Sequence, residues 1–183
     1  MSKYFFYLFF LASTISYSQT YVKINGVTAI ALLPHIGVET SLSDKMTFQF
    51  DVSASFWKSV DGAPLRFALF TPEVRYYIKE KYKGWYFGAH IGGAIFKLKK
   101  WNYKDLNLYQ KGFSYFIGAT IGYQKQISDK INLDFFLGGG NIQSSYKGYD
   151  IDSGIRYDIA NGYNKSSEFI PYRGGIMISY RLN

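Results

Sequence analysis

The sequence has 183 residues, no cysteine and a formal charge of +8, and its aromatic content of 20% matches a charged content of 19%. Without cysteine, the chain has no disulfide, no thiolate metal site, no catalytic thiol and no acylated cysteine anchor. Its apolar and aromatic content excludes intrinsic disorder, because such a chain has ample surface to bury. A net positive charge of this size suits binding to nucleic acid, anionic lipid or phosphate. The position of the charges has to show which of these partners is expected.

The first 18 residues have the pattern of a secretory signal peptide. Lys3 gives a basic start, residues 4–12 form an apolar stretch, and Ser16-Tyr17-Ser18 provides a small-x-small cleavage site before Gln19. The apolar stretch has about half of the roughly 20 residues that a membrane-spanning helix needs, which disfavours a retained helical anchor. We therefore predict a signal peptide at 1–18 and an exported domain at 19–183, for which nucleic acid is not an expected partner.

Polar and apolar side chains alternate along seven stretches of the exported domain. Between residues 47 and 56, for example, Phe48, Phe50 and Val52 interleave with polar residues such as Asp51. Because successive side chains of a strand point to opposite faces, each stretch predicts a strand with one apolar and one polar face. In the last stretch, Ile170 and Tyr172 are predicted on the apolar face and Arg173 on the polar face. The stretches lie at 36–42, 47–56, 70–78, 85–95, 113–124, 131–138 and 170–182.

The links between these strands alternate in length. Short turns are predicted near 43–45, 79–84 and 128–130, and long loops at 58–64, 97–112 and 144–168. Alternating strands of about ten residues, with short turns at one end and longer loops at the other, are typical of outer-membrane β-barrels. The predicted fold class is therefore all-β, a closed antiparallel up-and-down transmembrane barrel.

An eighth strand is needed for the C-terminal strand to end on the side of the short turns. The stretch from Tyr21 to Leu32 is the available one, although it alternates weakly. Pro34 predicts a break before His35, because proline cannot donate to a strand ladder. Eight strands leave an interior just wide enough for side chains, so we predict a filled polar lumen and not a pore.

The charged residues of the polar faces are predicted to point into that lumen. An arginine facing lipid at the bilayer midplane would cost about 2 to 4 kcal/mol, and a buried charge persists only if it is paired. The predicted role of this charge set is structural, and a catalytic or proton-relay role is the alternative. The set consists of Glu39, Asp51, Glu73, Arg75, Asp134, Arg173 and Arg181.

The sequence offers little support for catalysis. Neither His35 nor His90 stands in a recognisable pattern of nucleophile, base and orienting group, and no metal-ligand spacing is present. We therefore expect no catalytic residues, no enzyme activity, no metal and no cofactor.

The predicted loop at 97–112 concentrates positive charge, with five lysines against the single acid Asp105, a net charge of +4. Basic clusters attract anionic headgroups, so this loop is a candidate contact for the phosphates of lipopolysaccharide. A solvated lysine-rich loop is the alternative. The lysines are Lys97, Lys99, Lys100, Lys104 and Lys111.

Five segments of the sequence can be compared with known proteins: Lys23-Ile24-Asn25, Pro34 to Glu39, Asp44-Lys45, Pro72 to Tyr77 and Gly118 to Gln124. They resemble a family of small outer-membrane barrels of Gram-negative bacteria that is known only as a domain of unknown function. The resemblance covers most of the exported domain and implies an outer-membrane location and a non-enzymatic role in surface contact or envelope integrity. We expect a monomer that contacts outer-membrane lipid and is inserted by the barrel assembly machinery, although such barrels commonly end in an aromatic residue and this chain ends in Leu182-Asn183.

A secreted soluble β-barrel that binds an apolar ligand is the alternative, because both orientations obey the same period of two. Such a barrel would display Arg75 and Arg173 to water and bury Phe50 and Ile178. Glycines on the polar faces, where a tight lumen needs small residues, favour the membrane barrel.

Overall fold

The computed structural model describes residues 19–59, 62–100, 105–157 and 162–183, so the predicted signal peptide lies outside it. Eight antiparallel strands pair in chain order, and β1 also pairs with β8, which closes the sheet into a barrel. The predicted closed, up-and-down barrel of eight strands is confirmed. The strands are β1 (Thr20–Asn25), β2 (His35–Ser41), β3 (Met46–Lys58), β4 (Pro64–Tyr77), β5 (Gly84–Leu98), β6 (Leu108–Gln126), β7 (Ile131–Asp150) and β8 (Asn164–Arg181).

The two ends of the barrel differ in their connections. The turn end holds the links 42–45, 78–83 and 127–130, together with the first residue of β1 and the last residue of β8. Two of these turns contain the sequence Ser-Asp-Lys, and in both the serine hydroxyl accepts a hydrogen bond from the lysine backbone N–H at 3.4 Å. The long links predicted after β5 and β7 lie at the loop end. The long loop predicted after β3 is instead the five-residue link 59–63, which is shorter than the six-residue link 78–83 at the turn end.

The strands have very unequal lengths, from 6 and 7 residues in β1 and β2 to 19 and 20 in β6 and β7. The loops predicted at 97–112 and 144–168 are therefore shorter in the structure than in the prediction. Strand β6 begins at Leu108, which pairs with Asp150 at the end of β7. Alternation is lost in this part of the chain because both faces carry polar residues, while backbone pairing continues.

The stretch predicted as the first strand divides into a strand and a helix. Strand β1 ends at Asn25, and a short helix, α1 (Gly26–Ile30), follows it. The Asn25 side chain accepts hydrogen bonds from the backbone N–H groups of Val27 and Thr28, as an N-cap residue does. Strand β2 then begins directly after Pro34. Within the described ranges, no helix is long and apolar enough to cross a membrane.

A β-bulge in β8 changes which side chains face inward. The register between β7 and β8 shifts at Gly138/Gly139, so that Gly138 pairs with Arg173 and Gly139 with Pro171. An extra residue in one strand reverses the faces beyond it. Tyr172 therefore points inward, together with Arg173, and the prediction that it belongs to the apolar outer face was wrong.

In the section of the barrel that holds Arg75 and Asp134, the strands place apolar side chains outside and charged ones inside. On the outer face, Phe50 is 41% exposed and Ile117 63%, whereas Arg75 is fully buried in the lumen. The arrangement is the reverse of the one that a soluble barrel with an apolar interior requires.

Candidate functional site

Four charged side chains from four strands meet in the half of the lumen nearer the turn end, which we call the lower lumen. The Lys23 ammonium lies 2.5 Å from Glu39 Oε2 and 2.6 Å from Asp134 Oδ2. Arg75 Nη1 lies 2.8 Å from the same Asp134 oxygen and 3.6 Å from Glu39 Oε2. All four side chains are fully excluded from solvent. Two cations thus bridge two carboxylates that come from strands that are not neighbours.

A second group continues these ion pairs toward the loop end. Glu73 Oε2 accepts a hydrogen bond from Arg75 Nε at 2.9 Å and lies 3.3 Å from Arg173 Nη2. Arg173 Nη2 in turn donates to Asp51 Oδ2 at 2.5 Å. Glu73 therefore joins both groups into one ion-pair network that runs along the lumen. Its members are Lys23, Glu39, Asp51, Glu73, Arg75, Asp134 and Arg173.

Neutral side chains add hydrogen bonds to this network. Tyr77 donates its hydroxyl to Glu39 Oε1 and Tyr86 donates to Asp134 Oδ1, both at 2.8 Å. The Arg75 guanidinium also lies 4.5 Å from the centre of the Tyr86 ring, a cation–π contact. Buried carboxylates are tolerated only when paired and hydrogen-bonded. Glu39 and Asp134 have both kinds of partner, whereas Glu73 is paired through Oε2 and its Oε1 has no hydrogen-bond partner among the described residues.

Glycines provide the space for these side chains on the inner face. A β-carbon on Gly88 would collide with the Glu73 carboxylate, and one on Gly122 would collide with the ring of Tyr86. Both glycines lie on the register that the sequence assigned to the lumen. The close approach explains why the inner face alternates small residues with long charged ones.

Tyr82 seals the turn end of the lumen from within the link between β4 and β5. Its ring centre lies 4.6 Å from that of Tyr21 and 6.3 Å from that of Tyr77, and its hydroxyl donates to the Gln19 carbonyl at 2.5 Å. The residue is 4% exposed, and its burial raises the pKa of the Tyr82 phenol. Its φ of 63° is uncommon for a residue other than glycine, so the contacts hold the turn in a costly conformation.

The structure brings six of the seven residues of the predicted charge set together and leaves one apart. Arg181 is half-buried near the turn end, opposite Tyr21 in the β1–β8 register. In the part of the chain that the structure describes, no network carboxylate lies within ion-pair distance of Arg181. Lys23, at the centre of the network, was missed. Lys23 and Asn25 do alternate with apolar Val22 and Ile24, but six residues are too few to stand out.

The two histidines lie in the lumen, and each contacts side chains of other strands. His90 Nε2 is 2.7 Å from the Tyr172 hydroxyl, and its Nδ1 is 3.1 Å from the Thr120 hydroxyl. The His90 side chain is buried, with 2% of its surface exposed. His35 Nδ1 contacts the Asn25 amide at 3.2 Å, and its Nε2 lies 3.9 Å from Asp51 Oδ2. Both imidazoles therefore fill and cross-link the lumen.

The half of the lumen nearer the loop end, the upper lumen, has a different lining. An open pocket of about 550 Å³ lies there, beyond the layer formed by His90 and Tyr172. Its polar lining includes the ion pair between Lys100 Nζ and Glu168 Oε1 at 3.4 Å and the hydroxyls of Ser114 and Ser144, which lie 2.7 Å apart. The apolar residues that line it are Phe67, Leu69, Ala94, Phe96, Leu98, Ile142 and Ile170.

The five lysines of the predicted basic loop do not form one group. Lys97 and Lys111 lie on the outer face of β5 and β6 and are directly paired in the register of those strands. Lys100 instead turns to the upper lumen, where it contacts Ser166 and Glu168. Lys99 follows the end of β5, and Lys104 lies outside the described residues.

These features define a small closed β-barrel whose lower lumen is filled by an ion-pair network and whose outer face is apolar. The model of a family described as "Protein of unknown function (DUF3575)" matches residues 4–182. The chain therefore belongs to this family. A comparison with curated proteins found no match.

Proposed function

We propose that this protein is an integral outer-membrane β-barrel with a plugged lumen and a structural or surface-contact role in the cell envelope. In this proposal residues 1–18 direct export, the barrel assembly machinery inserts the chain as a monomer, and the loop end faces outward. The observation that carries the proposal is the polarity of the barrel, with a buried ion-pair network inside and exposed apolar side chains outside.

The height of the apolar outer band supports this proposal. On β5 the outward positions run from Trp85 to Ile95 without a charged residue, and on β6 from Tyr123 to Phe113. Ten steps of about 3.4 Å per residue, on a strand tilted by about 40°, correspond to a band of about 26 Å. Apolar bands of membrane barrels are about 25 Å tall, so the band has the height that a bilayer core requires.

Aromatic residues lie at the edge of this band near the turn end. Trp85 is 54% exposed, Tyr76 49% and Tyr180 48%, and the rings of Trp85 and Tyr123 are in contact at 5.3 Å. Rings with a polar group settle at the headgroup level of a bilayer and form the girdles of such barrels. Their position is consistent with a membrane boundary at this level.

The filled lower lumen supports a structural role in place of a channel. The network occupies the section of the barrel in which β1 to β8 all take part, and Tyr82 closes its end. A solute crossing the barrel would have to break several buried ion pairs, each costly to leave unpaired. We therefore propose that the protein contacts its surroundings, including lipopolysaccharide, through the outer face and the loop end.

The proposal is tested by placing a charge on the apolar band. Ile117→Arg lies at mid-band and is expected to destabilise the barrel in bilayers by about 2 to 4 kcal/mol, because the guanidinium meets hydrocarbon. Leu106→Arg, in the link between β5 and β6, is the matched control and is expected to change stability by less than about 0.5 kcal/mol. Urea unfolding in phosphatidylcholine vesicles measures both free energies.

Equal stability of the two variants would contradict the proposal. A second readout is the migration of unboiled and boiled wild-type protein on a detergent gel after extraction from membranes. Different mobilities are expected for a membrane barrel. Protein that stays dispersed without detergent would instead support the soluble alternative.

A further inference from the structure

Four basic residues form a straight row across the outer face of four neighbouring strands. Arg66 of β4 pairs with Lys97 of β5, Lys97 pairs with Lys111 of β6, and Lys111 pairs with Lys147 of β7. Residues directly opposite each other in antiparallel strands have β-carbons about 4.5 to 5.5 Å apart. The row, which we call the cation row, therefore places four positive charges side by side on one surface.

Among the described residues, no carboxylate is paired with the cation row to offset its repulsion. Like charges directly opposite each other destabilise a sheet. Within the described ranges no ion pair joins any of the four residues to an acid. Two of the lysines instead contact rings: Lys97 Nζ lies 4.6 Å from the centre of Tyr109, and Lys147 Nζ lies 4.9 Å from that of Tyr163. An anion from outside the chain would neutralise the row.

Two grooves accompany the row on the same outer face. All four cations line a groove of about 630 Å³, together with Phe56, Ile95, Phe113 and Tyr163. A second groove of about 500 Å³ lies nearer the turn end and is lined mainly by apolar residues, among them Phe70, Ile91, Gly93 and Ile117. Positive charge above an apolar groove matches a molecule that has an anionic head and hydrocarbon chains.

The row also lies at the level where lipid phosphates are expected. Lys97 follows Ile95, and Lys111 precedes Phe113, each one outward position beyond the upper edge of the apolar band. If the band spans the bilayer core, the four cations stand among the headgroups of the leaflet at the loop end. This step rests on the proposed function.

We propose that the cation row and the adjoining grooves form a binding site for a phosphate-bearing membrane lipid, with lipid A of lipopolysaccharide as the occupant. The phosphates contact Arg66, Lys97, Lys111 and Lys147, and acyl chains lie along the apolar groove below. The site differs from the predicted basic loop, since it includes Arg66 and Lys147 and does not use Lys100.

Two variants of equal charge test the site. The row variant carries Arg66→Gln, Lys97→Gln, Lys111→Gln and Lys147→Gln. The control variant carries Lys45→Gln, Lys79→Gln, Lys83→Gln and Lys125→Gln, four exposed lysines near the turn end. Titration of detergent-purified protein with lipid A, dephosphorylated lipid A and inorganic phosphate, followed by native mass spectrometry, measures binding. A detergent gel with and without boiling verifies that each variant is folded.

We expect the control to bind lipid A as the wild type does and the row variant to bind it at least about tenfold more weakly, because each cation near an anionic headgroup contributes about 1 kcal/mol. Removing the lipid A phosphates should weaken binding to the wild type to the same extent. The single variant Lys111→Gln, expected to bind about fivefold more weakly, replaces the row variant if that one does not fold.

Equal lipid A affinity of the row variant, or of Lys111→Gln, and the wild type would overturn the inference. Inorganic phosphate binding as tightly as lipid A would overturn the lipid as occupant. Either result leaves the proposed membrane location intact if Ile117→Arg destabilises the barrel. If Ile117→Arg and Leu106→Arg are equally stable, the proposed location fails, and the lipid site fails with it.

Discussion

The lower and upper lumen belong to one barrel but are built on opposite principles. The lower lumen is filled by charged side chains that are fully buried and paired with one another. The upper lumen contains an open pocket of about 550 Å³ whose walls are mainly apolar. Strands β1 and β2 end below the pocket, at Asn25 and His35, so only the longer strands surround it.

The contrast indicates where the stability of the barrel resides and where it has room to vary. In the lower lumen, each side chain has specified partners on other strands, and glycines are placed where those partners need space. In the upper lumen, apolar side chains surround free volume. A substitution that adds a bulky side chain should therefore lower the free energy of unfolding in the lower lumen and be tolerated in the upper lumen.

Arg75→Met should have the largest effect, because it removes the cation that contacts Glu39, Glu73 and Asp134. Breaking a buried ion pair on one side costs about 3 to 5 kcal/mol, since the other charge stays buried. Urea unfolding in detergent, followed by tryptophan fluorescence, measures the loss. Lys125→Met, at an exposed position, is the control, and coinciding unfolding curves for the two variants would remove the network as a source of stability.

Gly122→Leu and Ala94→Leu compare added volume in the two regions. The Gly122 variant drives its side chain into the Tyr86 ring and should lose about 1 to 3 kcal/mol, as overpacked cores do. Ala94 lines the pocket, so its variant should lose less than about 1 kcal/mol. The same unfolding assay gives both values. Similar losses would show that the upper lumen is as tightly constrained as the lower one.

Tyr82→Phe should change how stability depends on pH at the closed end of the lower lumen. Burial raises the pKa of the Tyr82 phenol above its usual value of 10.0. Below pH 10 the phenol is neutral in both states, and above it only the unfolded chain ionises. The wild type should therefore lose up to about 1.4 kcal/mol more than the variant per pH unit above 10. Unfolding free energies at pH 9 and pH 11 test this, and parallel losses in both proteins would contradict it.

The sequence predicted the fold well because the barrel imposes a simple pattern along most strands. A face that meets an apolar environment and a face that meets a filled lumen must alternate, and Phe48, Phe50 and Val52 opposite Asp51 display this directly. The pattern disappears near the loop end, where β6 and β7 carry polar residues on both faces. There only the backbone pairing of Leu108 with Asp150 shows that the strands continue.

The parts of the site that the sequence analysis did not predict depend on the pairing register between strands. The sequence pattern does not show this register. Tyr172 faces inward because a bulge in β8 shifts the pairing by one residue, and a shift of one residue reverses the face. The cation row joins residues as far apart as 66 and 147. Their alignment depends on the pairing of three successive strand pairs, so residues 97–112 alone suggested a loop of lysines instead of a row.

The first and last strands of the chain lie side by side. The Thr20 backbone N–H donates to Asn183 Oδ1 at 2.9 Å, across 163 positions of sequence, and Lys23 reaches Asp134 across 111 positions. The ring therefore cannot close until translation has delivered the final segment. Until β8 is in place, β1 has an open edge of unpaired backbone N–H and C=O groups. Closure of the barrel therefore depends on joining the two strands that are farthest apart in the sequence.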